Sequence, residues 1–409
     1  MQDAPMTFPE GFWWGSGASS TQCEGAAPAS DWLAWERDGH APPSRDGNGF
    51  ATRYAEDFAL FADHGLTHHR LSIEWARIEP ENGRRDPAAI DHYREVLRSA
   101  NEAGIAPWVC LHHFSLPGWF SVDEHGFVDE RSRSYFWPRH VDFMAETFGD
   151  QVFGWQPVNE PSGYALLGWR LGRFPPGHRD RGRFGEALEA IHLAAFDAAR
   201  RLHTTGKPVA SIHNLSPIRT LADTPEASQV ARRLDAVAWG CWLGAFQNDE
   251  LQVPDRGPIE VPGYGDAFDL VGFSYYGAQG VAADGSIVSY PTGARVGPLG
   301  YAPWSEGLGE VLHRLAETLP DKPLLVAEHG VGTDDDSWRE SVLRDSLDQV
   351  EQAIDDGIDV RGFFHWTAVD NYEWVYGFDV PFGLFDRDRT PKESAALAAS
   401  FARTGKPPG

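Results

Sequence analysis

The stretch KPLLVAEHG, residues 322–330, runs apolar from Leu324 to Ala327 and then meets Glu328, His329 and Gly330. Four apolar residues behind a Lys-Pro opening read as a buried strand. A carboxylate at the tip of such a strand is costly unless it is paired, used, or turned into water. For one strand alone, water is the plain explanation. The rest of the chain decides whether that explanation is enough.

Seven other short apolar or β-branched runs have the same look: GFWWGSGAS (11–19), THHRLSIEW (67–75), IAPWVCLHH (105–113), VFGWQPVNE (152–160), KPVASIHN (207–214), FDLVGFSYY (268–276) and VRGFFHWTAVD (360–370). A helical segment follows each run. In DPAAIDHYREVLRSANEAG (86–104), Asp86 is a cap and Pro87 suits the first turn. Ile90, Tyr93, Val96 and Leu97 form one stripe there, and Gly104 ends the helix. Between 337 and 357, Val342, Leu343, Leu347, Val350 and Ile354 repeat the pattern, with Gly357 past the end. Eight strand–helix units in order predict an α/β fold: a single (β/α)8 TIM barrel over residues 1–409, with its active site at the C-terminal ends of the strands. The alternative is an open doubly wound sheet, and no GxGxxG turn supports it. Gly/Pro-rich stretches at 40–49, 171–182 and 277–303 read as long loops at strand ends, and 334–336 (DDD) as a solvated helix start.

In such a barrel the strand tips form one rim. Strand three ends in His112–His113, strand four in Asn159–Glu160, strand six in Tyr275–Tyr276 and strand seven in Glu328, while strand two carries His69 and Arg70. One polar tip is noise, but five around a rim make a site. Glu160 and Glu328 then face each other across the barrel mouth. Two facing carboxyl groups are the arrangement of glycosidases, where their separation sets the stereochemistry. Trp366 on strand eight and Glu373–Trp374 beyond it suit a sugar, which offers a C–H face to an aromatic ring and hydroxyls to carboxylates and amides.

Composition narrows the partners. A formal charge of -25 disfavours nucleic acid and anionic membranes. The start, MQDAPMTFPE, has neither the basic nor the apolar region of a signal peptide. Cys23, Cys110 and Cys241 form neither a disulfide framework nor a zinc spacing, so a reduced cytoplasmic setting is expected. Adjacent histidines at 68–69 and 112–113 point to opposite faces of a strand and offer at most one inward ligand per pair. No metal and no cofactor is expected. His113 reads as a sugar donor, and His68 and His112 as packed residues. Trp13, Trp14, Trp75, Trp108 and Trp155 read as core, whereas Trp169 and Trp304 are candidates to flank the acceptor. The sequence does not set the oligomeric state.

The blocks FPEGFWWG and QCEG (8–25), HHRLSIEWARIEP (68–80), LHHFSLP (111–117), VNEP (158–161), GFSYY (272–276), AEHG (327–330) and DNYEWVYGF (370–378) stand in an order that resembles glycoside hydrolase family 1, the β-glucosidase family. The likeness spans nearly the whole chain. It implies a retaining β-glycosidase that hydrolyses terminal non-reducing β-D-glucosyl residues through a covalent glycosyl-enzyme, with galactosides and fucosides as further candidates. It makes Glu160 the general acid/base and Glu328 the nucleophile. It makes Gln22, His113, Asn159, Glu373 and Trp374 contacts to the sugar hydroxyls, and Trp366 the platform under the ring. It makes Arg70 and Tyr276 the groups that hold the nucleophile as an anion.

Several residues depart from the family pattern: Ala327 and His329 flank Glu328, Pro157 stands near Glu160, Ser274 replaces an Asn, and Phe114 and Ser115 replace a Trp and an Asp. They bear on the acceptor side and on the tuning of Glu328. His329 is read either as a partner of Glu328 or an acceptor, or as a residue that satisfies local backbone. The chain is also short for the family, which predicts a more open acceptor side that admits bulky aglycones. Glu373 and the lack of any Lys between Lys322 and Lys392 speak against phosphorylated sugars. Two rival functions stand beside hydrolysis. One is transglycosylation from the same intermediate to a bulky or non-sugar acceptor. The other is a catalytically weak sugar-binding protein on a glycosidase scaffold, against which both retained carboxyl groups argue.

Overall fold

The computed structural model describes residues 8–408; residues 1–7, part of the N-terminal stretch read above, lie outside the described residues. Eight parallel strands form one sheet: β1 (Trp13–Gly17), β2 (His68–Ser72), β3 (Ala106–His112), β4 (Gly154–Val158), β5 (Ala210–Asn214), β6 (Leu270–Tyr275), β7 (Leu324–His329) and β8 (Val360–Trp366). Their order is β4-β3-β2-β1-β8-β7-β6-β5, and a parallel bridge from Trp155 to Val209 brings the two ends of the sheet together. All eight expected strands are found, each within a few residues of its expected bounds. The result is a nearly closed (β/α)8 barrel.

The helices that follow the strands are α1 (Phe50–Asp63), α2 (Pro87–Glu102), α3 (Trp137–Phe148), α4 (Arg181–His203), α5 (Pro225–Asp235), α6 (Ser305–Thr318), α7 (Asp336–Asp355) and α8 (Glu393–Thr404). The local chemistry of α2 follows its sequence. Asp86 accepts a hydrogen bond from the Ala88 N–H at 2.9 Å, and Pro87 needs no donor in the first turn. Tyr93, Val96 and Leu97 are fully buried against the sheet. Each buried apolar side chain of this size contributes about 1.5–3 kcal/mol, so Leu97→Ala would cost about 2–5 kcal/mol once the cavity is counted.

The core has two main parts. The larger lies between sheet and helices. The smaller fills the barrel axis with Trp108, Ala210, Ile212, Leu270, Leu325, Ala327 and Phe364. Trp14, Trp75, Trp108 and Trp155 are buried as expected, and Trp13 is half-buried against the axial cluster.

Two expectations need correction. The stretch 277–303 is not only loop. Ala278–Val281 and Ile287–Tyr290 form a hairpin, and Ile218–Thr220 joins it as a third strand. Asp284–Gly285, with Gly285 at φ +80°, is the turn signal that the Gly/Pro content had masked. The acidic run 334–336 is not simply solvated. Asp335 caps α7 through the Trp338 N–H. Asp336 instead pairs with Arg339 and accepts from the backbone and hydroxyl of Ser394, which ties α7 to α8.

Candidate active site

The tips of the strands open into a cavity of about 260 Å³. Gln22, His113, Asn159, Glu160, Tyr276, Glu328, Trp366, Glu373 and Trp374 all line it, and Arg70 lies beneath. The two candidate catalytic carboxyl groups, the candidate sugar contacts and the two candidate partners of Glu328 are therefore gathered at one place.

The backbone explains how Glu328 reaches the cavity. Leu325 and Ala327 point into the barrel axis. Strict alternation would then send Glu328 outward, toward the helices. The pairing register of β7 shifts between Val326 and Glu328 against β6, and between Val326 and His329 against β8. This irregularity lets Ala327 and Glu328 both face inside. Local slips of this kind re-aim side chains at the rims of barrels. His329 then points outward. Its Nδ1 lies 2.7 Å from the Tyr275 carbonyl and its Nε2 2.8 Å from the Ser346 hydroxyl on α7. It makes no hydrogen bond to Glu328, so of the two readings the local one holds.

Glu328 is 3% exposed and is held from two sides. Arg70 donates to Oε1, and the Tyr276 hydroxyl donates to Oε2 at 2.7 Å. Burial, followed by the Glu328 charge, raises Tyr276 well above the usual phenol range, so it remains a donor. Arg70 is fully buried and also donates to Asn159 Oδ1 and to His113 Nδ1, the latter at 3.1 Å. One guanidinium thus fixes the carboxylate, the amide and the imidazole relative to each other. Burial, with Arg70 next, holds His113 well below the usual histidine range and therefore neutral.

Glu160 sits between β4 and the short helix Pro161–Ala165, at φ +44°. A non-glycine residue in this left-handed region stores strain, and such strain gathers at functional sites. Two main-chain bonds hold it: Glu160 N–H to the Ile212 carbonyl at 3.1 Å, and Tyr164 N–H to the Glu160 carbonyl at 2.9 Å. Its Oε1 accepts from the Asn214 amide at 3.1 Å. Burial first, and the charge of Glu328 second, push its carboxyl up to about 7. Glu373, beside Gln22 at 3.0 Å, is pushed up to about 8 by burial and then by Glu328.

Aromatic rings form the remaining walls. Trp366 is almost fully buried, with the His113 ring near parallel at 5.6 Å and Arg70 5.9 Å from the indole centre. Gly17 on β1 makes this possible: a Cβ there would come 2.8 Å from the Trp366 ring. Trp374 packs edge-on to Trp32 at 4.6 Å, with Phe174 and Phe114 beside it.

Trp169 and Trp304, the acceptor candidates, do not line this cavity. Trp169 packs on Tyr164 beside a separate cavity of about 630 Å³ formed with Trp35, Pro175 and Pro176. The Trp304 carbonyl takes the Tyr275 hydroxyl at the start of α6. The outer cavity is lined instead by Leu167, Arg173, Phe174, Leu299, Tyr301 and Tyr376, which the sequence did not single out. Asn214 was also missed, although it is the last residue of β5 and the strand-tip rule points to it. His68 and His112 are packed as expected, His68 against Phe153 and His112 against Tyr164. Among the described residues, no group of three or more His, Cys, Asp or Glu is arranged to hold a metal ion, and no helix is long and apolar enough to cross a membrane.

Comparison with known proteins agrees with this architecture. The family model for glycosyl hydrolase family 1 matches residues 4–238 and 267–406. Thermostable β-glucosidase B of Thermobispora bispora is 29% identical over 95% of this chain and 89% of its own length. β-Glucosidase A of Acetivibrio thermocellus is 28% identical over 93% of each chain. Among solved structures, a β-glycosidase from Pyrococcus horikoshii superposes with a TM-score of 0.91 at 28% identity, covering 99% of this chain and 97% of that one. A family 1 β-glucosidase from Thermotoga maritima in complex with isofagomine lactam shares the fold, with a TM-score of 0.87 at 23% identity over 97% and 99% of the two chains. The chain is a glycoside hydrolase and belongs to glycosyl hydrolase family 1.

Proposed function

We propose that this enzyme is a retaining β-glucosidase acting on terminal non-reducing β-D-glucosyl residues, with Glu328 as nucleophile and Glu160 as general acid/base. β-Galactosides and β-fucosides are further candidate substrates. The observation that carries the reading is the contrast between the two carboxyl groups in one cavity. Glu328 takes two charge-directed hydrogen bonds, from Arg70 and Tyr276, whereas Glu160 is buried beside that charge and its carboxyl is raised to about 7. Pairs of carboxyl groups whose environments differ in this way divide into nucleophile and acid.

The mechanism follows from these environments. Glu328 attacks the anomeric carbon while Glu160 gives its proton to the leaving oxygen. Forming the glycosyl ester removes the charge of Glu328. One of the two causes that raise Glu160 then disappears, and Glu160 can take a proton from water. Water attacks from the face that the aglycone left, so the β configuration returns. In this reading Trp366 carries the sugar's C–H face. Gln22, His113, Asn159, Glu373 and Trp374 bond its hydroxyls, with Asn159 toward the 2-hydroxyl. The whole chain, residues 1–409, is read as one cytoplasmic catalytic domain.

The test is a time course by proton NMR with an aryl β-glucoside. β-Glucose released first, with the α anomer appearing only by mutarotation, supports retention. α-Glucose released first refutes it. Added alcohols captured in preference to water would move the enzyme toward transglycosylation.

A further inference from the structure

The loop after β4 carries a local charge opposite to that of the chain. Residues 170–183, RLGRFPPGHRDRGR, hold five arginines and one aspartate in a protein of net charge -25. Two of these arginines are engaged: Arg181 pairs with Asp255, and Arg183 donates to His178. Arg170, Arg173 and Arg179 are exposed and, among the described residues, have no carboxylate within ion-pair distance.

Arg173 is the one that reaches the site. Its backbone is anchored, because the N–H groups of Arg173 and Phe174 both bond to the Leu167 carbonyl, at 2.9 and 3.3 Å. Its neighbour Phe174 is buried against Trp374 and Phe114, so this segment is a wall of the cavity. Arg173 is the only cationic side chain among the lining residues. Beyond the polar groups of the candidate site, the same cavity is lined by apolar and aromatic side chains: Leu167, Phe174, Leu299, Tyr301, Val375 and Tyr376. These surfaces fit a flat ring, and the guanidinium fits an anion at the edge of that ring. A planar guanidinium matches a carboxylate through two parallel hydrogen bonds. A strongly acidic protein repels an anionic substrate at distance, so a local basic rim is what such a substrate requires.

We infer that Arg173 is a specificity residue of the aglycone side and that the enzyme favours aryl β-glycosides whose aglycone bears a carboxylate. This deepens the β-glycosidase reading above and rests on it. The Glu160–Glu328 chemistry is unchanged; Arg173 orients the leaving group by its far end, and Arg170 and Arg179 add to the attractive field.

The test compares 4-carboxyphenyl β-D-glucoside with its methyl ester, which has the same ring without the charge. For each enzyme form, kcat/KM on the acid is divided by kcat/KM on the ester. Comparing that ratio between forms cancels the intrinsic reactivity of the two leaving groups. The expected result is a ratio about tenfold lower in Arg173→Gln than in the wild type at low ionic strength, partly restored in Arg173→Lys and reduced in the wild type by added salt. The same ratio in wild type and Arg173→Gln would overturn the inference while leaving the glycosidase reading in place. A wild-type enzyme that cleaves neither aryl glucoside would overturn the glycosidase reading and this inference with it.

Discussion

Ala327 and Glu328 are neighbours in sequence, and both face the inside of the barrel. The register of β7 slips at this point, so the small residue fills the axis and the acidic one rises into the mouth. Ala327 is fully buried and packs in the axis with Trp108, Ile212, Leu325 and Phe364. Ala327→Leu is therefore expected to overpack the axis, cost about 1–3 kcal/mol, and lower kcat by displacing Glu328. Thermal unfolding together with steady-state kinetics checks both effects. Unchanged activity in a destabilised variant would separate the slip from the placement of Glu328.

The pairing of Arg70 with Glu328 is fully buried, and its two halves are unequal to lose. Arg70→Met leaves a buried carboxylate unpaired and is expected to cost about 3–5 kcal/mol. Adding Glu328→Gln removes that lone charge. The double variant should recover part of the lost stability while remaining inactive. Denaturant unfolding of the two single variants and the double variant measures the coupling. Additive losses would mean that the two groups do not share their charge.

Glu160 is expected to set the alkaline limb of activity. Its carboxyl is raised from 4.5 to about 7, so the acid form predominates below that pH and is lost above it. The pH profile of kcat/KM should therefore fall as pH rises through about 7. Since part of the shift comes from the charge of Glu328, Glu328→Gln should bring Glu160 to a lower value, as carbon-13 NMR of labelled glutamate can follow. A Glu160 that titrates identically in the two proteins would contradict the coupling.

His329 lies next to Glu328 in sequence but belongs to the packing between barrel and α7. Its replacement by Ala strips partners from the buried Ser346 hydroxyl and the Tyr275 carbonyl. A loss of about 1–3 kcal/mol in stability is expected, with kcat/KM on neutral aryl glucosides near that of the wild type. A large fall in kcat without loss of stability would return His329 to the chemistry.

The barrel was legible because short apolar runs, several with polar tips, alternate with helical segments, of which some carry both a stripe and a cap, as in Asp86-Pro87 through Gly104. The inner rim was legible for the same reason, since Asn159, Glu160, Tyr276 and Glu328 are all strand tips. Asn214 fits that rule too, at the tip of β5 beside His213, whose ring stacks on Trp242 instead of lining the cavity. The register slip at Ala327 was not legible: alternation alone turns Glu328 outward, and only the pairing with β6 and β8 reveals the shift. The outer cavity was the least legible part. Leu299 and Tyr301 come from a stretch with no periodicity, and Trp169, which looked like an acceptor wall, turns into packing against Tyr164. Loop side chains depend on contacts far away in sequence, which local patterns do not carry.

The assignment of Glu328 as nucleophile and Glu160 as acid/base is the centre of the account, and azide rescue tests it most directly. Glu328→Gly and Glu160→Ala would each be supplied with an activated aryl β-glucoside and sodium azide, with products read by NMR. The account predicts α-glucosyl azide from Glu328→Gly, because azide replaces the missing nucleophile on the α face in a single inversion. It predicts β-glucosyl azide from Glu160→Ala, because azide intercepts the covalent intermediate. The opposite assignment of products, or full glucoside turnover by Glu328→Gly without azide, would contradict it.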